Sequence, residues 1–428
     1  FSQIHKPVLL QECVDLVTPA LHASDSVAVD CTLGLAGHTI AFLKAAPNAT
    51  VIGIDRDEEA LDKATARIAQ EGLSARFVPV HAAFDQFDEV LRAQGVSRVQ
   101  AVFMDLGLSS LQIDERERGF SYAHDAPLDM RMDTSQALTA REILATYDAD
   151  RLAHIFKEYG EERFSKPIAK RIVQQRQSSP LETSSQLTAL VDAVIPAARR
   201  GSGNPAKRVF QALRIEVNGE LDKLRRTLPQ IGLHLAVGGR LVVESYHSLE
   251  DRTVKNFMAQ GLRVDAPADM PVIPPDMQPF FKALTKGAVK ADAGEIAYNP
   301  RSASVRLRAV ELTRPLPQRW VHAFELESQG SEDGVRGAHG HRRRTQGITW
   351  RFQCDRHVRM CHLRAGSQIR HSSARICTWW SPESTMPRRR GMALMWPAPS
   401  SRGRVAARAH GCTPPLRFCF WCCAGSAR

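Results

Sequence analysis

Over most of its 428 residues this chain is short of cysteine, tryptophan and long apolar runs, and lysine disappears from its end. No stretch approaches the roughly 18 consecutive apolar residues that cross a bilayer, and no basic, then apolar, then small-residue leader opens it. A cytoplasmic protein with no membrane partner is therefore expected. Only Cys13 and Cys31 precede residue 350, too few for a disulfide framework. The six Trp all stand at position 320 or later, and the last Lys is Lys290. Charge is as uneven as composition. Residues 314–428 hold 20 Arg, no Lys and 6 Asp+Glu, which accounts for more than the whole net charge of +11 and leaves residues 1–313 at −3. The basic balance thus says nothing about partners of the first three quarters.

What is present is a nucleotide-binding pattern. Val27-Ala-Val-Asp-Cys-Thr-Leu-Gly-Leu-Ala-Gly-His-Thr39 reads as an apolar strand, a tight turn and a helix start, and Val51-Ile-Gly-Ile-Asp55 as a second strand. Gly34 and Gly37 let the backbone approach a ligand, the helix near His38 points free amides at it, and Asp55 stands where a carboxylate accepts bonds from a ribose diol. The third glycine of the dinucleotide fingerprint is missing, so an adenosine without a pyrophosphate, as in S-adenosylmethionine, fits better than NAD. Strands over 76–84 and 99–107 carry Phe84 and Asp105 to the same edge. A strand entered through Gly238-Gly239 brings Ser245, Tyr246 and His247 there, and alternation around 304–310 predicts a closing antiparallel strand.

Between about 134 and 205 helical periodicity replaces the strand pattern. Leu152, Ile155, Phe156, Ile168, Ile172 and Val173 mark apolar stripes, with Lys166, Lys170 and Arg171 among the polar positions. Lys207 and Arg208 follow the loop 199–205. Phe210, Leu213, Val217, Leu221 and Leu224 then predict one packed helix. A basic helix face suits phosphates, and equally suits plain solvation.

Seven segments carry a resemblance: His5-Lys-Pro-Val-Leu-Leu10, Asp105-Leu-Gly-Leu-Ser-Ser-Leu-Gln112, Gly119-Phe-Ser121 with Pro127-Leu-Asp-Met-Arg-Met-Asp133, Tyr159-Gly-Glu-Glu-Arg163, Phe210-Gln-Ala-Leu-Arg-Ile215, Glu244-Ser-Tyr-His-Ser-Leu-Glu-Asp-Arg252 and Asn299-Pro-Arg-Ser302. In this order, over about residues 5–311, they resemble the bacterial small-subunit ribosomal RNA N4-cytidine methyltransferases. The resemblance implies an α/β fold, a class I (Rossmann-like) methyltransferase core with a small inserted helical domain. It implies S-adenosylmethionine as cofactor, and a cytidine amine in the decoding region of 16S rRNA, in the small ribosomal subunit, as substrate, with a homodimer left open. The expected division is 1–133 and 206–313 for the core, with 134–205 for the insert. By matching motif, Ala36, Gly37, His38, Asp55, Phe84, Asp105 and Gln112 would contact the cofactor. Two positions depart from the family: Ala36 stands where glycine is usual, and Tyr246 where phenylalanine is.

A cytidine amine is a poor nucleophile, its lone pair being delocalised into the ring, so an acceptor for its protons and in-line positioning are needed. The Asp-Pro-Pro-Tyr type loop of other amino methyltransferases is absent. Backbone carbonyls or Ser109 and Ser110 are then the candidate acceptors, Tyr246 the stacking face and His247 a later proton acceptor, while Asp105 is expected to act from a strand end that faces cofactor and base alike. Lys166, Lys170 and Lys207 are the expected RNA contacts. Rival readings are a DNA amino methyltransferase, set apart by that missing loop, a dehydrogenase, and a non-catalytic RNA-binding protein, which leaves the cofactor crevice unexplained. From 314 onward periodicity fails. Cys354, His357, Cys361 and His362 fit no zinc spacing, so no metal is expected, and the segment reads as GC-rich DNA translated in the wrong frame, without structure and dispensable.

Overall fold

In a computed structural model of the protein, residues 7–109, 112, 115–122, 124–199, 204–267 and 270–329 are described. Seven strands form one sheet in the order β3-β2-β1-β4-β5-β7-β6. They are β1 (Val27–Asp30), β2 (Thr50–Asp55), β3 (Phe77–His81), β4 (Val99–Asp105), β5 (Leu235–Ser245), β6 (Phe281–Ala283) and β7 (Arg306–Leu312). The β1–β5 neighbours run parallel, and β7 is antiparallel to both β5 and β6. This is the methyltransferase-type α/β architecture expected from the resemblance. The predicted closing strand is β7; the three-residue β6 is too short to leave a sequence signal.

Successive residues of each strand face opposite sides, so β4 sends Val102 and Met104 into one core and Ala101 and Phe103 into the other. Helices cover both faces, as near-continuous apolar strands require. On one side lie α1 (Leu10–Val17), α2 (Gly37–Ala45) and α3 (Glu58–Gln70), contributing Cys13, Phe42 and Ile68. On the other lies α4 (Phe87–Ala93), together with three later helices described below.

The inserted helices are α5 (Ala140–Thr146), α6 (Ala149–Glu158), α7 (Ser165–Gln175) and α8 (Ser184–Val194). Asp148 caps α6, and Thr139 and Thr183 close reciprocal boxes with Glu142 and Gln186. Their core extends beyond the expected 134–205. It includes Leu128 and Met130 before it and Val209, Phe210, Leu213 and Val217 after it. The last four lie on α9 (Lys207–Asn218), which packs with the insert. The single helix expected over 210–224 is two helices, because Gly219 adopts φ +60° and ends α9 before α10 (Glu220–His234) begins. Two more helices follow, α11 (Ser248–Leu262) before β6 and α12 (Ala293–Tyr298) between β6 and β7.

The expectation of no structure from 314 onward is corrected as far as residue 329. Helix α13 (Gln318–Gln329) lies against α10, with Phe324 fully buried. The Phe324 ring lies 5.3 Å from Phe257, and Trp320 lies 5.6 Å from Phe280. A Cβ at Gly232 of α10 would sit 2.7 Å from the Phe324 ring, so the close approach needs glycine there. Apolar side chains thus hold a segment whose local pattern is weak. His5, Ser110 and residues 330–428 lie outside the described residues.

Candidate active site

The carboxyl ends of β1, β2, β4 and β5 open on a cleft of about 780 Å³. Its walls include the turn Thr32–Leu35, Gly37, His38, Asp55, Phe84, Asp105, Ser109, Gln112, Tyr246 and His247, together with Lys207. Of the residues singled out in the sequence, Lys166 and Lys170 stand apart, exposed on α7 away from the cleft lining. Ala36 is fully buried and serves as the N-cap of α2.

The turn is tightly built. A Cβ at Gly37 would lie 2.4 Å from the Pro7 ring, so the lead-in segment fits only against glycine. Ala36 has φ +60°, the left-handed region in which a Cβ is strained. The departure from the usual glycine therefore carries a backbone cost. His38 is buried, its Nε2 2.9 Å from the Val8 carbonyl, which makes it a strut for the lead-in segment. Burial, opposed by that bond and by Asp30, lowers its pKa.

Asp55 ends β2. Its Oδ2 accepts from the Gly34 amide at 2.7 Å and its Oδ1 from the Asp57 amide at 2.9 Å, which leaves lone pairs free toward the cleft. Desolvation raises its pKa above the ordinary carboxylate value, with these two amides opposing. Asp105 ends β4; its amide donates to Thr32 Oγ1 at 2.6 Å. Its Oδ1 is buried and has no hydrogen-bond partner among the described residues. Burial lifts Asp105 to about 7, with the facing Tyr246 hydroxyl holding it down and Glu250 pushing it up. Tyr246 is itself pushed well above its usual range by burial and by Asp105 and Glu244.

Two expected catalytic groups are occupied as caps. Ser109 Oγ accepts from the Gln112 amide, and the Ser109 amide donates to Gln112 Oε1, both at 3.2 Å. Gln112 Nε2 donates to Asp57, so this amide braces the loop. His247 caps α11: its Nδ1 accepts from the Glu250 amide at 3.4 Å, while Glu250 Oε2 accepts from the Tyr246 amide at 2.8 Å. Nε2 of His247 lies 3.0 Å from Glu250 Oε1 but off the hydrogen-bonding direction. Burial pushes Glu250 upward, and His247, Arg214 and the Tyr246 amide together more than offset it, leaving the carboxyl below its usual range. The pair fixes the backbone that presents Tyr246.

Residues 2–313 match the MraW methylase family. The chain belongs to that family. Its relatives include proteins named ribosomal RNA small subunit methyltransferase H. That of Bifidobacterium adolescentis is 72% identical over 324 residues, covering 76% of this chain and 94% of the relative. That of Bifidobacterium longum is 69% identical over 332 residues, covering 78% and 92%. That of Beutenbergia cavernae is 53% identical over 319 residues, covering 74% and 95%. The Bifidobacterium longum match covers more of the chain than residues 1–313 contain, so likeness to that relative runs past 313 and into α13, in accord with its packing.

Sequence reasoning missed several groups of this family member's cleft. Arg56 lies in its wall, donating to the Asn218 carbonyl at 3.2 Å and contacting Met132 Sδ. Desolvation lowers its pKa, with Glu220 and Asp55 opposing. Arg214 pairs with both oxygens of Glu220 at 2.9 Å. The Arg56 contacts join segments far apart in sequence, whereas Arg214 and Glu220 meet across the α9–α10 break, and the only sequence hint was the polar residue standing in an apolar stretch. No helix among the described residues is long and apolar enough to cross a membrane.

Proposed function

We propose that the chain transfers a methyl group from S-adenosylmethionine to the N4 amine of a cytidine in the decoding region of 16S rRNA, acting on the small ribosomal subunit. The observation that carries this reading is the unpartnered, buried Asp105 Oδ1 at a strand end, in one cleft with the Gly34–Gly37 turn and Asp55. The relatives' names and the expected cofactor both agree with it.

The residues present suit the cofactor. The turn brings backbone close where side chains are excluded, Asp55 keeps lone pairs for a ribose diol, and Phe84 offers an apolar face. When bound, S-adenosylmethionine supplies an electrophilic methyl carbon. Asp105 is placed to accept a hydrogen bond from the cytidine N4–H, which restores electron density to the nitrogen and holds it in line. One N–H proton leaves as the N–C bond forms and the methyl–sulfur bond breaks with its electron pair left on sulfur, and the ionised Asp105 is the nearest acceptor for that proton. Tyr246 holds the Asp105 carboxyl in place, and the His247–Glu250 cap holds Tyr246. Lys207 at the rim, and Lys166 and Lys170 on the insert, are assigned to phosphates, which position RNA without reading its sequence. The base must be unstacked or single-stranded to enter.

Methyl transfer from labelled cofactor to small subunits lacking the mark tests this. The expected product is N4-methylcytidine in small-subunit RNA. Label in DNA, or in no nucleic acid, would overturn the reading.

A further inference from the structure

The cofactor side of the cleft and the wall facing it are joined by one buried ion pair. Asp57 stands two residues beyond Asp55, is 4% exposed, and caps α3 through the Ala60 amide. Its Oδ2 accepts from Arg118 Nη1 at 2.6 Å and from Gln112 Nε2 at 3.2 Å. Arg118 Nη2 reaches the other way, to the carbonyls of Met132 at 2.8 Å and Arg131 at 3.4 Å, and the Arg118 carbonyl accepts from the Met130 amide at 3.0 Å. Immediately after Arg118, Phe120, Ser121 and Tyr122 line the cleft, and Tyr122 meets Phe210 of α9 edge to face at 6.0 Å. The far end of α9 is tied to the same place. Asn218 accepts from the Met132 amide at 2.9 Å and donates to the Met130 carbonyl at 2.8 Å, and its own carbonyl accepts from Arg56.

Loop 55–57 and the stretch 118–132 are thus two sides of one hydrogen-bonded unit. The Asp55 carboxylate fixes the Asp57 amide. The Asp57 carboxylate fixes Arg118, and Arg118 fixes the aromatic wall. A planar guanidinium can span a carboxylate on one edge and carbonyls on another, which an ammonium cannot reproduce. We infer that Arg118 is a positioning residue that sets the Phe120–Tyr122 wall according to the state of the Asp55–Asp57 loop, so that cofactor and RNA bind cooperatively. This rests on the function proposed above, with Asp55 as a cofactor contact and the aromatic wall on the RNA side. Ordering the loop with cofactor orders the wall, and the second ligand then meets a site already arranged.

The test measures the affinity of the full chain for unmethylated small subunits with and without S-adenosylhomocysteine, which fills the cofactor site without reacting. Wild-type protein should bind the subunits about tenfold tighter in its presence, within the usual range of coupling between sites. In Arg118→Ala the factor should fall to within about twofold of one while each ligand alone still binds, a loss that simple destabilisation does not produce. Arg118→Lys keeps the charge without the fork and should lose coupling too; it serves if the alanine variant does not fold. A wild-type coupling factor in either variant overturns the inference, as does a factor of one in wild-type protein that binds subunits normally. Wild-type protein that neither binds nor methylates small subunits overturns the function itself.

Discussion

At the scale of single residues, the cofactor turn holds a strain that one substitution can remove. Ala36 occupies φ +60° with its side chain fully buried. Ala36→Gly should stabilise the protein by about 1 kcal/mol, since a left-handed non-glycine residue costs about 1–3 kcal/mol and the extra freedom of unfolded glycine takes back about 0.4–1 of it. Urea melts of the two proteins measure it, and an unchanged or lower midpoint would count against strain at this position. Asp105 gives a prediction in pH. Its pKa is raised to about 7, so the folded protein keeps a proton that the unfolded chain releases near pH 4. That contribution to stability is complete below about pH 4 and is lost as pH rises through about 7. Asp30, raised to about 6 by burial, acts in the same sense. Methyl transfer has the opposite dependence, because the acceptor must be ionised. The rate should climb through about pH 7 in wild-type protein. Asp105→Asn should lower the turnover number by a hundredfold or more and abolish the inflection, which a pH–rate profile reads directly. Asp55 and Asp105 were legible because a strand ending in an acid leaves a local pattern. The pairing of Asp57 with Arg118, 61 positions apart, leaves none.

At the scale of elements, the sheet and most helices could be read from periodicity, since burial on both faces writes itself into β2 and β4 as apolar runs. Helix α13 could not. Its composition differs from everything before it, and what holds it is the fit of Phe324 over Gly232, with Trp320 on Phe280. Phe324→Ala should cost about 3–5 kcal/mol, as for other buried phenylalanines, seen as a lowered denaturation midpoint. A chain ending at residue 313 should be similarly weakened, and equal stability of the short and long proteins would show α13 to be ornamental. The break at Gly219 was also hidden, because the apolar positions of α9 and α10 run through it in step although the axes do not continue.

At the scale of the whole molecule, the segment beyond residue 340 is predicted to be dispensable. The Bifidobacterium adolescentis relative is matched over 94% of its own length by only 76% of this chain. Deleting residues 341–428 should leave methyl transfer to small subunits within about twofold of the full chain, and a larger loss would give that segment a function. Substrate recognition is expected to depend on the insert as well as the cleft. Lys207 stands at the rim, and Lys166 and Lys170 on exposed α7. Reversing all three charges should raise the Michaelis constant for small subunits and flatten its salt dependence, while cofactor affinity, read by calorimetry, stays unchanged.

The strand order also dictates how the protein can emerge from a translating ribosome. β4 and β5 are hydrogen-bonded neighbours, yet the whole insert, with α9 and α10, is synthesised between them, and β7 must still slot between β5 and β6. The helices of the insert make mostly local contacts and can form early, whereas the β5-facing edge of β4 stays open until β5 has been made, about 130 residues later. An apolar strand left unpaired for that interval is a template for wrong partners. Expression of the protein should therefore depend on chaperones that shield nascent chains, more than its stability once complete would suggest.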